Sequence, residues 1–441
     1  MKLWTRALEL ADKTPASRNR YVDLLRAVSI GAVVLGHWLI AAPWMDGDHI
    51  RLDHMLAISP WTRWLTWLFQ VMPIFFMVGG YSNAMSWDAA RRAGRGYADW
   101  VGSRLRRLIG PVVPLLVAWA SIGAVAHLSG VPPEVIRVGS QAALVPVWFL
   151  AVYVLVVLIA PVLYGAWLRF GMASFWPLVL LAVLVDALRF GAGLVSPAWI
   201  NYLLIWSAVH HMGFMWRDGR LAGPGRSLPW AVAGFAGLGV LVWGLGYPLS
   251  MVGVPGEEVS NTLPPSLAML ALGCAQAGLL LALEGPGRRW LARRRAWAAT
   301  IAVNGMIMSV YLWHLTAMVL LIGLLRLLGG FGLHLVPGTG TWWATRPLWL
   351  ATLAAALLVF LALFSRFERV AERGEERTLP PWRPFVGAAL VCVALALAAL
   401  DGIGGAGPLG IRVWLIVLVL AGAALVRALP GPEKGTFRFL R

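Results

Sequence analysis

The sequence predicts an all-α, polytopic integral membrane protein, and three observations support this fold class. Hydrophobic residues make up 59% of the 441 residues and charged residues only 13%, which is about half the charged share of a soluble domain. The apolar residues form blocks of about twenty, long enough to cross a hydrocarbon core of about 30 Å as a helix. The blocks are continuous and do not alternate with polar residues, so helices rather than barrel strands are expected to satisfy the backbone in the bilayer.

Twelve apolar blocks predict about twelve transmembrane helices. The first ten form a core that contains every polar motif of interest, and the last two form an additional C-terminal pair. The predicted spans are 22–42, 61–82, 108–129, 142–164, 175–190, 197–216, 229–250, 264–284, 299–325, 345–365, 384–400 and 410–428. We therefore divide the chain into a cytoplasmic N-terminal segment (1–21), a transmembrane core (22–370), a cytoplasmic linker (371–383) and a C-terminal transmembrane hairpin with its tail (384–441).

The charge of the connecting loops predicts the orientation of the chain. Every second loop is predicted to lie on the same side of the membrane as the N-terminal segment, and these loops are rich in arginine. This is typical of the cytoplasmic face of an inner membrane. The opposite side receives only 7 of the 37 Lys and Arg residues: Arg51, Arg63, Arg137, Arg189, Arg326, Arg346 and Arg412. We expect a multi-pass protein of the bacterial inner (plasma) membrane with both termini in the cytoplasm.

The composition also argues against two other classes of protein. The net charge of +17 is carried by short loops that face anionic lipid, so the expected partner is the lipid bilayer and no nucleic acid is expected. The two cysteines, Cys274 and Cys392, lie in different predicted spans and match neither a disulfide framework nor a metal-ligand pattern. We expect no metal ion.

The first span carries ionisable residues on one helical face. Arg26 and His37 are eleven residues apart, which is three turns plus about 20°, and Asp23 lies one turn before Arg26, where it can pair with it. Charged groups inside a span are costly and usually functional, and a neutral imidazole can act as a general base near neutral pH. In the alternative interpretation, Arg26 extends to the lipid headgroups and His37 only joins two helices.

Two further segments carry candidate functional residues. Arg104 and Arg107 lie one turn apart before the third span, where paired guanidinium groups can bind phosphates or can be an ordinary positive-inside cluster. In the ninth span Asn304 and Tyr311 are predicted to share a face, with His314 one turn further on, although these groups can equally be interhelical hydrogen-bonding partners. The pair His210 and His211, at the end of the sixth span, is expected at the level of the lipid headgroups.

These segments together resemble the acyltransferase-3 family of membrane acyltransferases, which includes bacterial O-antigen and nodulation-factor acetylases. The resemblance covers about residues 18–370. The features that carry it are Arg26 and His37 with ten residues between them, Met72-Pro-Ile-Phe-Phe-Met-Val-Gly-Gly-Tyr81, Arg104-Leu-Arg-Arg107 followed by Pro111, Trp148-Phe-Leu150, and Tyr311-Leu-Trp-His314. Members commonly have Ser-Gly where this chain has Gly79-Gly80, so the hydroxyl of that position is missing.

The resemblance implies an O-acyltransferase that moves an acyl group, by default acetyl, from acyl-coenzyme A to a hydroxyl of a glycan, lipid or secondary metabolite. His37 is then the general base, and Arg26 with Asp23 orients the site or the donor. Arg104, Arg107 and the neighbouring Arg106 bind the phosphates of acetyl-coenzyme A. The resemblance also implies four substrate-binding residues: Asn304, Tyr311, His314 and Trp148.

Two other functions remain compatible with the sequence. A transporter or flippase of a lipid-linked or small polar substrate would also have many spans and a polar stripe, but such proteins commonly show internal repeats, and none is visible. A membrane scaffold would leave the Asp23–Arg26–His37 stripe without a purpose. The sequence does not identify the acyl acceptor.

Overall fold

The protein is almost entirely helical in a computed structural model that describes residues 2–15, 18–47, 49–372 and 379–429. The chain divides into two compact units. It passes from one unit to the other between Gly94 and Arg95 and within two long helices, α9 (Val147–Phe170) and α17 (Gly340–Glu372). Residues 373–378 of the predicted linker 371–383 and residues 430–441 of the C-terminal tail lie outside the described residues. The predicted division of the chain into core, linker and hairpin therefore stays a prediction.

The first unit comprises Met1–Gly94 and Leu155–Leu358. Besides parts of α9 and α17, it contains one β-hairpin, β1 (Ala41–Asp46) and β2 (His49–His54), and twelve α-helices that lie before α9 or between α9 and α17. These are α1 (Lys2–Asp12), α2 (Arg20–Ile40), α3 (Met55–Ile58), α4 (Thr66–Phe69), α5 (Met72–Arg92), α10 (Trp176–Gly191), α11 (Asn201–Arg217), α12 (Pro224–Gly239), α13 (Leu267–Ala282), α14 (Glu284–Leu291), α15 (Arg294–Asn304) and α16 (Ile307–Leu327), with 3₁₀ turns at Pro60–Leu65, Gly171–Ser174 and Ser196–Ile200 and a π-helical turn at Val240–Gly244.

The second unit comprises Arg95–Val154 and Val359–Arg441. It contains α6 (Tyr97–Ile109), α7 (Val112–Leu128), α8 (Pro133–Leu144), α18 (Trp382–Asp401) and α19 (Val413–Leu425), together with the remaining parts of α9 and α17. The last two helices form a tight hairpin, since a Cβ atom on Gly387 would lie 2.9 Å from the carbonyl oxygen of Gly422. They also pack against α6, α7 and α8.

Eight helical segments of the described residues are long and apolar enough to cross a membrane, or nine if the bent pair α13–α14 counts as one span. The predicted count of twelve is therefore not confirmed. Helices are present at all twelve predicted positions, but α10, α11 and α19 have only 16, 17 and 13 residues. These lengths are below the roughly 20 residues that span the hydrocarbon core without tilt.

The predicted external loop 43–60 contains regular structure that the helical pattern did not predict. Strands β1 and β2 pair in antiparallel register with Ala41 opposite His54. The backbone N–H of Ala41 also donates to the carbonyl oxygen of His37 and so ends α2. Another backbone hydrogen bond, of 2.7 Å, joins the N–H of Met45 to the carbonyl oxygen of Leu333 and fixes the hairpin to the loop before α17. The hairpin thus begins one turn after His37.

The predicted ninth span is wrong in one respect, because it is not one continuous helix from 299. Helix α15 ends at Asn304 and α16 begins at Ile307, with Gly305 and Met306 between them. A glycine has no side chain to stabilise the helical backbone and commonly marks such an end. As a result Asn304 and Tyr311 belong to different helices and do not share the predicted face.

Helices α5 and α11 approach each other closely through two glycines. A Cβ atom on Gly80 would lie 1.9 Å from the carbonyl oxygen of His210, and one on Gly213 would lie 2.1 Å from that of Met77. Small residues at crossings let helix backbones approach closely in a membrane. Gly80, the second residue of the Gly79-Gly80 pair, therefore lies at the close crossing of these two helices.

Candidate active site

Two histidines from distant parts of the chain meet inside the first unit. His37 lies in the last turn of α2. His314 is the eighth residue of α16, three residues after Tyr311. The Nδ1 atom of His37 is 2.8 Å from the Nε2 atom of His314, and the two ring planes are within 6° of parallel. His314 is fully buried, whereas His37 is partly exposed.

The hydrogen bonds of the pair define its tautomers. The Nδ1 atom of His314 lies 2.7 Å from the carbonyl oxygen of Tyr311, and a carbonyl oxygen can only accept, so Nδ1 carries the proton and Nε2 has the lone pair. That lone pair accepts from the Nδ1–H of His37. The remaining ring nitrogen of a neutral His37, Nε2, then has a lone pair and makes no hydrogen bond to the described residues. The geometry thus presents one unprotonated imidazole nitrogen on a partly exposed residue.

Helix–helix contacts hold this pair in place. The indole N–H of Trp38 donates to the carbonyl oxygen of His314 at 3.2 Å, so α2 binds α16 at successive residues. Tyr311 retains only 4% of its accessible surface. Both predicted residues of α16, Tyr311 and His314, therefore lie within the helix contact, and His314 contacts His37 directly.

The acidic and basic members of the first-span stripe lie at the other end of α2. Asp23 is buried and receives a two-fold hydrogen bond from Arg18, with distances of 2.8 and 3.1 Å. Its predicted partner Arg26 is further away, at 3.8 Å. Arg26 instead donates to the hydroxyl of Ser82 on α5 at 2.7 Å. The structure thus confirms proximity of Asp23 and Arg26 but adds Arg18 and Ser82 as their closer partners.

The stripe is too long for all its members to act on one atom. Helix α2 is continuous from Arg20 to Ile40, so the separation of eleven positions from Arg26 to His37 corresponds to about 16 Å of rise. Asp23 lies a further turn away. Arg26 can therefore contact only a distant part of any molecule that reaches His37.

Asn304 lies at that same distant end of the stripe. Its side-chain N–H groups donate to the carbonyl oxygens of Asp23 at 2.8 Å and Thr300 at 2.9 Å. These bonds fasten the end of α15 to the start of α2. The predicted grouping of Asn304 with Tyr311 and His314 is therefore not found.

The predicted phosphate-binding arginines lie on the last two turns of α6, in the second unit. The guanidinium of Arg104 lies 5.7 Å from the centre of the Trp100 ring. Arg106 is buried with 7% exposure, and Arg107 is exposed. Trp148, at the start of α9, belongs to the second unit too and packs edge-on against Phe149.

The two histidines of α11 are buried within the protein, and their predicted position at headgroup level stays a prediction. His210 and His211 each retain 0% of their accessible surface. The Nε2 atom of His210 lies 3.1 Å from the side-chain nitrogen of Asn83 on α5. That prediction rested on their place near the end of the sixth span and did not address burial against other helices. The close α5–α11 approach at Gly80 and Gly213 is what buries them.

The sequence did not single out four residues that contact Arg26, His314, Asp23 or the cap of α2. These are Ser82, Trp38, Arg18 and His54. Only Ser82 had a usable signal, since it follows the Gly79-Gly80-Tyr81 segment on the helix that Arg26 faces. Within the described ranges, no three His, Cys, Asp or Glu residues come together in a group that could hold a metal ion.

The apolar helices and the hydrogen-bonded histidine pair define a multi-pass membrane protein with a candidate acid–base site. A family model described as an acyltransferase domain, acyltransferase-3, matches residues 19–365. Because this is well over half of the chain, the protein belongs to the acyltransferase-3 family. Comparison with curated proteins and with solved structures gives no significant match.

Proposed function

We propose that the protein transfers an acyl group from acyl-coenzyme A to a hydroxyl of a glycan, lipid or secondary metabolite. The observation that carries the proposal is the His37–His314 hydrogen bond, since it leaves a lone pair on His37 Nε2. Membership of an acyltransferase family supplies the class of reaction. The acetyl group is the default acyl group.

In the proposed reaction His37 Nε2 removes the proton of the attacking hydroxyl. The hydroxyl oxygen forms a bond to the thioester carbon, and the carbonyl becomes an oxyanion. The carbon–sulfur bond then breaks, and the coenzyme A thiolate receives the proton from His37. The products are an O-ester and free coenzyme A, and His37 returns to its neutral form. General base catalysis of this kind contributes about 10²–10⁴-fold to a rate.

His314 is a positioning residue in this scheme. It accepts from His37 Nδ1–H and so selects the tautomer whose Nε2 is unprotonated, as a second hydrogen-bonding group commonly does for a catalytic histidine. When His37 takes up the proton, His314 and the Tyr311 carbonyl oxygen behind it stabilise the added charge. The chain of groups therefore orients the base and supports its charged form.

The donor would be bound through its phosphates by arginines. We assign Arg104, Arg107 and Arg106 to the phosphates of acetyl-coenzyme A because guanidinium groups bind phosphate oxygens in pairs. Arg26, about 16 Å from His37 along α2, would contact the donor far from its thioester. The high arginine content of alternate loops supports a bacterial inner-membrane location with both termini in the cytoplasm.

Thermal unfolding of the purified protein with acetyl-coenzyme A, free coenzyme A or ATP tests the donor. A ligand at 100 times its Kd should stabilise the protein by about 2.7 kcal/mol. We expect a raised Tm with both coenzyme A compounds, a loss of this shift in Arg104→Ala, and an unchanged shift in Arg289→Ala, which removes an exposed arginine of α14. No shift in folded wild-type protein at millimolar acetyl-coenzyme A would contradict the proposal and favour a transporter.

A further inference from the structure

A buried arginine without a carboxylate partner lies next to the β-hairpin. Arg346 in α17 retains 7% of its accessible surface. Its Nε–H donates to the carbonyl oxygen of Trp342 at 3.2 Å, whereas its Nη1 atom is buried without a hydrogen-bond partner among the described residues. None of the described carboxylates is paired with it. Burying an unpaired charge costs several kcal/mol, so its presence calls for a compensating function.

Aromatic stacking compensates only part of this cost. The guanidinium carbon of Arg346 lies 3.9 Å from the centre of the Trp342 ring and 5.5 Å from that of Trp349. A desolvated cation–π contact contributes about 2 kcal/mol, which is less than the cost of the buried charge. The indole N–H groups of both tryptophans are also buried without a partner among the described residues. Three hydrogen-bond donors of one cluster, Arg346 Nη1 and the indole N–H groups of Trp342 and Trp349, therefore lack an acceptor among the described residues.

Packing connects this cluster to the end of α2. Trp342 forms a buried cluster with Ala42 of β1 and Met55 of α3. Met55 directly follows His54, and His54 pairs with Ala41, the residue that caps α2 on the carbonyl oxygen of His37. Arg346 stacks on Trp342, and Trp342 packs against Ala42, the residue after the cap of α2, so these groups lie within the same compact unit.

His54, which pairs with Ala41 and precedes Met55, adds another unused polar atom. Its Nδ1 atom is buried and has no hydrogen-bond partner among the described residues. Burial lowers the pKa of His54 to about 4, so the ring is neutral at pH 7 and adds a hydrogen-bonding group without adding charge. The charge of the cluster is therefore that of Arg346.

We propose that Arg346, Trp342 and His54 form the subsite for the acyl acceptor, and that the acceptor carries a negatively charged group, a phosphate or a carboxylate, close to the hydroxyl that is acylated. The assignment rests on the proposed acyl transfer at His37. A planar guanidinium binds either anion through two parallel hydrogen bonds. The bound anion would neutralise the buried charge, and the free indole and imidazole nitrogens would bind the remaining oxygen atoms.

Three small molecules with matched hydroxyls test the subsite: glycerol 3-phosphate, glycerate and glycerol. The full-length protein is placed in nanodiscs of neutral lipid, and binding is followed by tryptophan fluorescence and by Tm. We expect saturable binding of glycerol 3-phosphate, of glycerate or of both, and no response to glycerol. The comparison of the first two distinguishes a phosphate from a carboxylate as the preferred anion.

Variants connect the response to Arg346. Arg346→Ala should raise the concentration of the anionic probe at half-saturation at least about tenfold. Arg346→Lys keeps the charge but not the planar guanidinium with its two parallel donors, and it should give an intermediate value. The matched control is Arg51→Ala, because Arg51 lies in the β-hairpin that contains His54, is 58% exposed at its side chain and pairs with Asp46. It should bind the probe as wild type does. A retained Tm shift with acetyl-coenzyme A shows that each variant is folded.

Three results would overturn the subsite: equal responses to glycerol and its anionic analogues, unchanged binding in Arg346→Ala, or no anion binding by wild-type protein that responds to acetyl-coenzyme A. Failure of the proposed function looks different. In that case the wild-type protein does not respond to acetyl-coenzyme A, while binding of the anionic probe still depends on Arg346 and places an anion site in a protein of another function.

Discussion

The Nδ1 atom of His37 and the Nε2 atom of His314 lie 2.8 Å apart, although 277 residues separate them in the chain. This hydrogen bond joins α2 to α16, and the adjacent bond from Trp38 to the carbonyl oxygen of His314 fixes the same contact. The tautomer of His37 is therefore set by a residue of another helix. A substitution at His314 should change catalysis without touching the substrate.

His314 can be tested with a side chain that preserves its acceptor. In His314→Gln the amide oxygen can take the place of Nε2 and accept from His37 Nδ1–H, whereas His314→Leu leaves that donor buried and unpaired, at a cost of about 1–3 kcal/mol. We expect His314→Leu to lower kcat about 100-fold or more and His314→Gln to retain a measurable part of it. Release of coenzyme A thiol measures both.

The KM for the donor should change little in either variant, because His314 does not contact it in this account. The pH profile of kcat gives a second readout, since loss of the acceptor changes the proton affinity of His37. Equal kcat values for His314→Leu and wild type would show that the contact only holds two helices together.

The sequence indicated His37 and His314 as separate candidate residues, but it did not predict that they contact each other. Periodicity placed His37 on the face of Arg26, and the family resemblance selected Tyr311 and His314, but neither contains the crossing of α2 and α16. The break at Gly305 was missed because the apolar residues continue through it, and hydropathy does not distinguish one helix from two. The β-hairpin was missed because its strands are short and partly polar.

The close approach of α5 and α11 predicts a large effect of one methyl group. In Gly80→Ala the new Cβ would lie 1.9 Å from the carbonyl oxygen of His210, so the helices must separate. Overpacking of this kind costs about 1–3 kcal/mol. We expect a lower Tm, because the hydrogen-bonding contact between His210 and Asn83 is then also disturbed.

Gly31→Ala is the matched control for this change. Gly31 is an exposed residue of α2, and a Cβ atom there would meet nothing within 4 Å. Alanine is also the better helix former by about 1 kcal/mol, so the Tm should stay the same or rise. A Gly80→Ala protein as stable as Gly31→Ala would contradict the described crossing.

Arg26 is expected to act on donor binding rather than on the chemical step. It lies about 16 Å from His37 along α2 and donates to Ser82 on α5. Arg26→Ala should raise the KM for acetyl-coenzyme A about tenfold, with a smaller change in kcat. Arg91→Ala, which removes an exposed arginine of α5, should leave both constants unchanged. A lower kcat at constant KM would assign Arg26 to the reacting atoms instead.

The partly buried imidazole of His54 predicts a pH dependence of stability. Its folded-state pKa is lowered to about 4 by burial, against about 6.5 in the unfolded chain. Between these values the unfolded chain binds the proton more readily, so stability falls as the pH decreases from about 6.5 to about 4. Allowing for partial exposure, the loss should be about 1–2 kcal/mol.

Thermal unfolding at several pH values compares wild type with His54→Gln, which has a polar side chain of similar size that does not titrate. The variant should lose less stability over this window. Parallel Tm curves for the two proteins between pH 6.5 and 4 would show that His54 is hydrated in the native state.

Base catalysis by His37 is tested most directly by transfer of labelled acetyl groups. Membranes of the source organism that lack this chain supply the acyl acceptor, and they are complemented with wild-type protein or with His37→Asn. The asparagine side-chain N–H can still donate to His314, but no base remains at the position of Nε2. With labelled acetyl-coenzyme A we expect alkali-labile label in the acceptor fraction with wild type, and at least about 100-fold less with His37→Asn, while the variant keeps its Tm shift with acetyl-coenzyme A. Equal label with both proteins, or none with wild type, would contradict the account.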